Sequence, residues 1–204
     1  MEFIRGNPDS YIALVKLAEH YIWFDENEAE DIYSRFPENL KGNPYGRVIA
    51  QRLKRSRDFR TGRPAKNFEK KDMNGKTVSL EKLRGKYVLL DFWGSWCGPC
   101  RESHPHLKEL YEKYKKQVIF INVAQENTRD LNEARKLWRM AVKEDGMTWT
   151  QILNNEGRET CDMIRLFNIS SFPTKVLIDP NGIVVARMVG GMVDAGEVLE
   201  KMVD

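Results

Sequence analysis

Long hydrophobic runs are what this sequence most lacks: no window of the 204 residues approaches the ~18 consecutive apolar side chains that a membrane-spanning helix needs. Cysteine is scarce as well. Three residues cannot build a disulfide scaffold, and two of them, Cys97 and Cys100, stand at the spacing of a redox pair or of half a zinc site whose other half is missing, because Cys161 is alone. Charge of one sign is absent too, since a net charge of +3 is too mild to imply a nucleic-acid partner without a motif behind it. No glycine-rich phosphate loop occurs in the first 60 residues. The opening residues also lack the basic, apolar and small-residue order of a signal peptide, because Glu2, Arg5, Asp9 and Lys16 interrupt them. That order fits a cytosolic chain, or one whose leader has been removed; membrane anchoring would have to come from such a missing leader.

What is present is the composition of a globular chain, 41% hydrophobic and 31% charged, long enough for one ordinary domain and an appendage. Residues 1–60 read as short helices. Asn7-Pro8-Asp9-Ser10 is a helix start, followed by Tyr11, Leu14, Val15, Ala18 and Ile22 at helical spacing. Ala29, Ile32, Tyr33 and Phe36 predict a second helix, stopped by Pro37. Val48, Ile49 and Leu53 predict a third after the turn cluster Gly42–Gly46. Basic residues then crowd together at Arg52, Lys54, Arg55, Arg57, Arg60, Arg63 and Lys66, with Asp58 the one acid among them. They read as a solvated helix end and linker, because no aromatic beyond Phe59 alternates with them as a single-strand binder requires. A domain boundary is expected near residue 61, at Thr61-Gly62-Arg63-Pro64.

From there strands and helices alternate, the pattern of an α/β domain. Phe68–Lys71 and Lys76–Leu80 flank Asn74-Gly75, which predicts a hairpin with both turn residues at positive φ. Tyr87–Trp93 is a nearly continuous apolar run of strand length, hence a central strand buried on both faces, and residues 118–123 form another. Helices are expected over 98–116, with Leu107, Leu110, Tyr111 and Tyr114 on one face, and over 129–142, with Leu131, Ala134, Leu137, Trp138 and Ala141 on one face. A shorter helix holds Met163, Ile164 and Phe167. Strands over 175–179 and 183–189 and a helix from Asp194 close an order β-β-β-α-β-α-α-β-β-α.

Cys97 follows the buried strand and opens the helix, where free backbone N–H groups and the helix dipole favour a thiolate. Cys100 lies one helical turn further on, close enough to close a disulfide without backbone movement. The pair therefore permits two-step exchange, in which Cys97 attacks a substrate disulfide and Cys100 resolves the mixed disulfide. The run Asp91-Phe92-Trp93-Gly94-Ser95-Trp96-Cys97-Gly98-Pro99-Cys100 resembles the thioredoxin active-site segment, Pro105 matches that family's helix-kinking proline, and Ser171-Phe172-Pro173-Thr174 matches its cis-proline loop. Gly75–Leu80, Leu83–Lys86 and Leu177–Gly182 are similar to the TlpA and ResA-like branch of extracytoplasmic thioredoxins, as is the inserted segment between Val123 and Pro173.

The resemblance covers residues 65–204 and implies a thioredoxin fold, a central mixed β-sheet flanked by helices, here with an N-terminal β-hairpin extension and the helical appendage. It implies a disulfide reductase acting on protein disulfides, fed by an upstream thiol donor, with no cofactor beyond the redox-active Cys97–Cys100 disulfide and no metal. An extracytoplasmic location, periplasm or cell envelope, is implied as well, and residues 1–60 resemble the tail of a longer N-terminal region. Carried over residue by residue, Cys97 is the nucleophile, Cys100 the resolver, and Asp91 a buried carboxylate, raised in pKa by its dry strand, that relays the resolver's proton. Trp96, Phe172, Pro173, Gly98 and Pro99 form the substrate-binding surface, with Trp96 over the disulfide and a cis Pro173 exposing the backbone of Phe172 to a bound peptide.

The sequence departs from the branch at Ser103, where a glutamate is usual and where Glu102 stands beside it, and at Phe172, where an aliphatic residue is usual. Against the catalytic reading stand a redox-sensitive binding or assembly module, with the function in residues 1–60, and a peroxiredoxin-type peroxidase. The latter is disfavoured because the Pro-x-x-x-Thr-x-x-Cys arrangement is missing around Cys97. His104 on the Cys100 helix could complete a three-ligand metal site with the two cysteines, but Pro105 distorts the helix there. His20 and His106 read as surface residues, Trp93 and Trp149 as core, and Cys161 as a half-buried, inert thiol.

Overall fold

In a computed structural model, which describes residues 2–21, 24, 26–57, 60–190 and 194–203, the chain divides into two compact units, Met1–Arg60 and Thr61–Asp204. Ile22, Asp58 and Phe59, which the sequence reading drew on, lie outside the described residues.

The first unit is helical: α1 (Glu2–Gly6), α2 (Tyr11–Glu19), α3 (Glu26–Ser34), α4 (Glu38–Lys41) and α5 (Pro44–Arg57). Ser10 caps α2, its hydroxyl accepting from the Ala13 amide at 3.3 Å. The buried face of α2 is Ala13, Leu14, Leu17 and Ala18, while Tyr11 is half exposed, so the apolar stripe is turned from the one read in the sequence. The reason is that Tyr11 packs edge-on against Tyr45 at the surface, which a hydrophobicity pattern cannot distinguish from burial. α5 begins inside the turn cluster, at Pro44, where a proline at the first helical position loses no hydrogen bond. Its Ile49 and Leu53 join Ile4, Ala29, Ile32 and Phe36 in the core, whereas Val48 faces out. Of the basic run, Arg57 and Arg60 both pair with Glu30, and the Arg52 guanidinium donates to the Ala18 carbonyl at 2.5 Å.

The second unit starts with a hairpin of β1 (Glu69–Lys71) and β2 (Thr77–Ser79). Gly75 alone has positive φ, +79°, and its amide closes a turn onto the Asp72 carbonyl at 2.9 Å. Asn74 does not share that conformation, because the Asp72 carboxylate accepts from the amides of Asn74 (2.9 Å) and Lys76 (2.8 Å) and holds a longer loop in place of the expected two-residue turn.

Five strands then form one sheet in the order β5-β4-β3-β6-β7: β3 (Tyr87–Trp93), β4 (Val118–Ala124) and β5 (Thr150–Leu153) run parallel, and β6 (Thr174–Ile178) and β7 (Val184–Val189) are antiparallel. β5 is absent from the sequence reading. With four residues and a glutamine among them, it is too short and too polar to show a period. α6 (Gly98–Tyr114), α7 (Leu131–Glu144) and α9 (Ala195–Val203) cover one face, and the hairpin and α8 (Met163–Leu166) contribute to the other. On α7 the buried set is Ala134, Trp138, Ala141 and Val142, with Leu137 turned outward.

Alternation along β3 sets up the site. Val88, Leu90 and Phe92 join the core on the α8 side, and Leu89 and Trp93 the core on the α6 side with both cysteines, so Asp91 falls on the α6 side. β3 is buried along nearly its whole length, as a parallel central strand requires.

Candidate active site

Cys97 is the N-cap of α6, and its Sγ accepts from the Cys100 amide at 3.3 Å. The two cysteines form a disulfide, with Sγ atoms 2.02 Å apart, and both are buried, Cys97 at 5% exposure and Cys100 at 1%. Pro99 occupies the first turn of the helix and Pro105 lies inside it.

The approach to Cys97 is pinned from the end of β4. The buried Glu126 carboxylate accepts from the Ser95 amide (3.0 Å) and the Ser95 hydroxyl (2.5 Å). Trp96, half exposed, donates its indole N–H to the Gln125 carbonyl at 2.9 Å and meets the Phe172 ring edge-on at 5.5 Å. Gly94 is required beneath it, because a Cβ there would come within 2.4 Å of the Trp96 indole nitrogen and 2.7 Å of the Gln125 carbonyl oxygen. Trp96 thus rests on Gly94 and Phe172. The Phe172–Pro173 peptide bond is cis.

The segment between β4 and β6 carries this support. Asn155 accepts from the Glu126 amide at 2.8 Å, and the Asn154 side chain donates to Gln125 (2.8 Å) and to Asp162 (3.0 Å). Burial would push the Asp162 carboxyl up, but hydrogen bonds from Arg158 and Asn154 hold it below the ordinary carboxylate range. From the hairpin, Lys70 donates to the carbonyls of Asn154 (3.2 Å), Cys161 (3.2 Å) and Glu156, and its burial pushes the ammonium down from its usual value. Cys161 is a half-buried free thiol.

Asp91 is 2% exposed, a buried carboxylate as the sequence predicts, but it has charged neighbours that the sequence did not reveal. The antiparallel register places Lys175 directly beside it, and Lys175 Nζ stands 3.2 Å from Asp91 Oδ1, an ion-pair distance, although neither carboxylate oxygen has an aligned hydrogen bond. Ser103, at the position where the ResA-like branch carries glutamate, donates its hydroxyl to the Cys100 carbonyl at 2.7 Å and lies 3.5 Å from Lys175 Nζ. His104 is fully buried. Its Nδ1 is 2.7 Å from Asp145 Oδ2, its Nε2 is 3.9 Å from Asp91 Oδ2, and its ring meets Trp93 edge-on at 4.8 Å. Arg101 clasps Asp145 with Nε at 3.1 Å and Nη2 at 2.6 Å, which raises the guanidinium further above its ordinary range. Among the described residues no group of three or more His, Cys, Asp or Glu side chains is gathered as a metal ion would need.

Lys175, Asp145, Arg101 and Glu126 are site residues that sequence reasoning passed over. A signal existed for Lys175 alone, a charge inside a strand two residues after Pro173, on the same face as the buried Leu177.

Residues 61–187 match the model of the AhpC/TSA family. The chain belongs to that family. Within it the similarity runs to thiol-disulfide oxidoreductases: ResA of Bacillus subtilis strain 168 is 32% identical over 137 residues, 66% of this chain and 70% of the relative, and ResA of Bacillus anthracis is 33% identical over 129 residues, 63% and 69% respectively. Among solved structures, the thioredoxin domain of a thiol-disulfide oxidoreductase from Bacteroides vulgatus is 32% identical with a TM-score of 0.62, covering 71% of this chain and 99% of that one. This AhpC/TSA member is accordingly a thioredoxin-fold thiol-disulfide oxidoreductase of the ResA-like kind, with the Cys97–Cys100 disulfide as its redox pair.

Proposed function

We propose that the chain reduces protein disulfides. The observation that carries this reading is the Cys97–Cys100 disulfide at the start of α6, with Cys97 as the N-cap where a thiolate is stabilised by the helix terminus. In the reduced state the Cys97 thiolate attacks a substrate disulfide and releases one substrate thiolate. Cys100 loses its proton to Asp91, attacks Cys97 Sγ, and frees the second substrate sulfur. The Gly98-Pro99 pair between the cysteines is the thioredoxin pair, which favours the reducing direction; thioredoxin itself has a potential of about −270 mV. An upstream thiol donor returns the pair to the dithiol, so the cycle uses no further cofactor.

Trp96 and Phe172, in edge contact at the mouth of the site, form with Gly98, Pro99 and Pro173 the surface on which the substrate peptide docks. The ResA-like resemblance supports a reaction outside the cytoplasm, where protein disulfides form and persist.

The test is reduction of insulin with dithiothreitol as donor. Wild type is expected to turn over, and Cys97→Ser to lose at least about 10³-fold, because no other group replaces the nucleophile. Equal turnover by the two proteins would remove the assignment.

A further inference from the structure

The loop that leaves β4 runs beside the loop that leads to Cys97 and binds it at successive residues. The Gln125 amide donates to the Trp93 carbonyl at 2.8 Å, which continues the pairing of β3 with β4 past Ala124, and the Gln125 carbonyl accepts from the Trp96 indole at 2.9 Å. Between these contacts the Glu126 carboxylate takes both donors of Ser95, the amide on Oε1 at 3.0 Å and the hydroxyl on Oε2 at 2.5 Å. Glu126 is itself held from behind. Its amide donates to Asn155 Oδ1 at 2.8 Å, its carbonyl accepts from Asn155 Nδ2 at 3.0 Å, and Gln125 Oε1 accepts from the fully buried Asn154 at 2.8 Å. A carboxylate in a dry interior is costly unless its oxygens are bonded, and Ser95 supplies a donor to each of them.

This clamp bears on the docking face rather than on the sulfur. Cys97 Sγ is fixed from the helix side, as the N-cap of α6 facing the Cys100 amide, and the Cys97 amide closes a turn onto the Gly94 carbonyl at 3.0 Å. The half-exposed Trp96 ring is bonded to the Gln125 carbonyl and rests on Phe172, while the backbone that carries it is fixed through its neighbour Ser95. We propose that Glu126 is a positioning residue for protein substrates: by holding Ser95 it keeps Trp96 against Phe172, so that the face on which a substrate peptide docks is formed before the peptide arrives. The inference rests on the exchange reaction and the docking surface proposed above. A face ordered in advance spares the complex the entropy of ordering it, and the gain goes only to substrates that use the face. A protein disulfide, with backbone on either side of the reacting sulfur, uses it. A small aliphatic disulfide that meets little beyond Cys97 Sγ does not, so Glu126 sets a preference for protein over small disulfides.

The experiment compares the second-order rate constants with which the reduced protein is oxidised by insulin and by bis(2-hydroxyethyl) disulfide. The reactions are quenched with acid and read by mass spectrometry as the loss of two hydrogens that closes Cys97–Cys100. Glu126→Ala is expected to lower the ratio of the insulin constant to the small-disulfide constant at least about tenfold. Glu126→Gln should keep the ratio within about threefold of wild type, because the side-chain amide oxygen still accepts from the Ser95 N–H and the Ser95 hydroxyl turns to accept from the amide N–H. A ratio unchanged in Glu126→Ala, both constants lowered alike, or a ratio lost equally in the alanine and glutamine variants would overturn the proposal. Should Glu126→Ala not fold, Ser95→Ala decides, since it keeps the bond to the backbone amide and loses the other: a ratio at least about threefold lower is expected, and an unchanged ratio overturns the proposal. Wild type that is oxidised by the small disulfide and left untouched by insulin would remove the protein-disulfide reading itself, and the proposal with it.

Discussion

The two units of the chain solve the problem of burial in opposite ways. Among the described residues, every buried polar or charged side chain belongs to the second unit: Lys70, Ser79, Asp91, His104, Asn122, Glu126, Gln151, Asn154 and Thr174. The buried residues of the helical unit are apolar, such as Leu14, Leu17, Phe36 and Ile49, and it keeps ion pairs such as Arg5–Glu28 and Arg57–Glu30 at its surface. A buried charge costs several kcal/mol unless it is paired, so a fold rarely retains one for stability alone. The difference teaches where chemistry is to be sought. The unit with charges in its interior is also the one that holds the Cys97–Cys100 disulfide.

The largest effect should come from breaking a buried pair. Lys175→Met leaves the Asp91 carboxylate in the interior without its counter-charge and is expected to lower stability by about 3–5 kcal/mol at neutral pH. Adding Asp91→Asn to it should recover most of that loss, since the uncompensated charge is then gone. Denaturant unfolding of the single and double variants checks this. A Lys175→Met protein as stable as wild type would show that the 3.2 Å contact carries no charge coupling, and the contrast between the units would lose its main support.

How much of this was legible in the sequence divides along the same line. Local features were readable: Cys97 as helix opener, Pro105 within the helix and the continuous apolar run of β3, because each is written in neighbouring residues. Features made by strand pairing and by packing between segments were not. Asp91 meets Lys175, far along the chain, only because β6 returns antiparallel to β3, and His104 meets Asp145 because α7 ends beside α6. Glu126 gave no signal, since nothing local says that a glutamate after β4 turns back onto the Ser95 amide. β5 was invisible for a different reason: half of its four residues are polar, and its burial comes from pairing with β4 rather than from its own pattern. The stripe of α2 was misphased because Tyr11, its first member, is a large aromatic that is half exposed.

An effect nearly as large, but without consequence for the chemistry, is expected in the helical core. Leu14 is fully buried there, and Leu14→Ala removes its packing and leaves a cavity, which costs about 2–5 kcal/mol. Exchange turnover below the melting temperature of the variant should equal that of wild type, because residues 1–60 hold no cysteine and none of the groups proposed for the reaction. Calorimetry read beside the insulin assay makes the test. A drop in turnover that parallels the loss of stability would mean that the helical unit supports the active site, and the division of labour would fail.

The smallest effect belongs to the surface pairs of the first unit. Glu30 receives Arg57 at 2.6 Å and Arg60 on its other oxygen, and hydrogen bonds from Arg60 and then Arg57 hold its carboxyl below the ordinary 4.5. A carboxylate whose folded pKa is depressed contributes stability that is fully present above the unfolded value and is lost as the pH falls through the folded one. For Glu30 the contribution is therefore complete at neutral pH, begins to fade only below 4.5, and is gone once the folded carboxyl is protonated. Its size is limited by solvent, since the Arg57 side chain is 60% exposed, and pairs of this kind contribute about 0–1 kcal/mol and are screened by salt. Glu30→Gln should then lower the melting temperature of the helical unit slightly at neutral pH, less so in high salt, and not at all near pH ~2, where the wild-type carboxyl is protonated and likewise uncharged. A difference that persisted in acid would assign the loss to the shape of the side chain rather than to its charge, and Glu30 would then have to be counted with the packed core and not with the solvated rim.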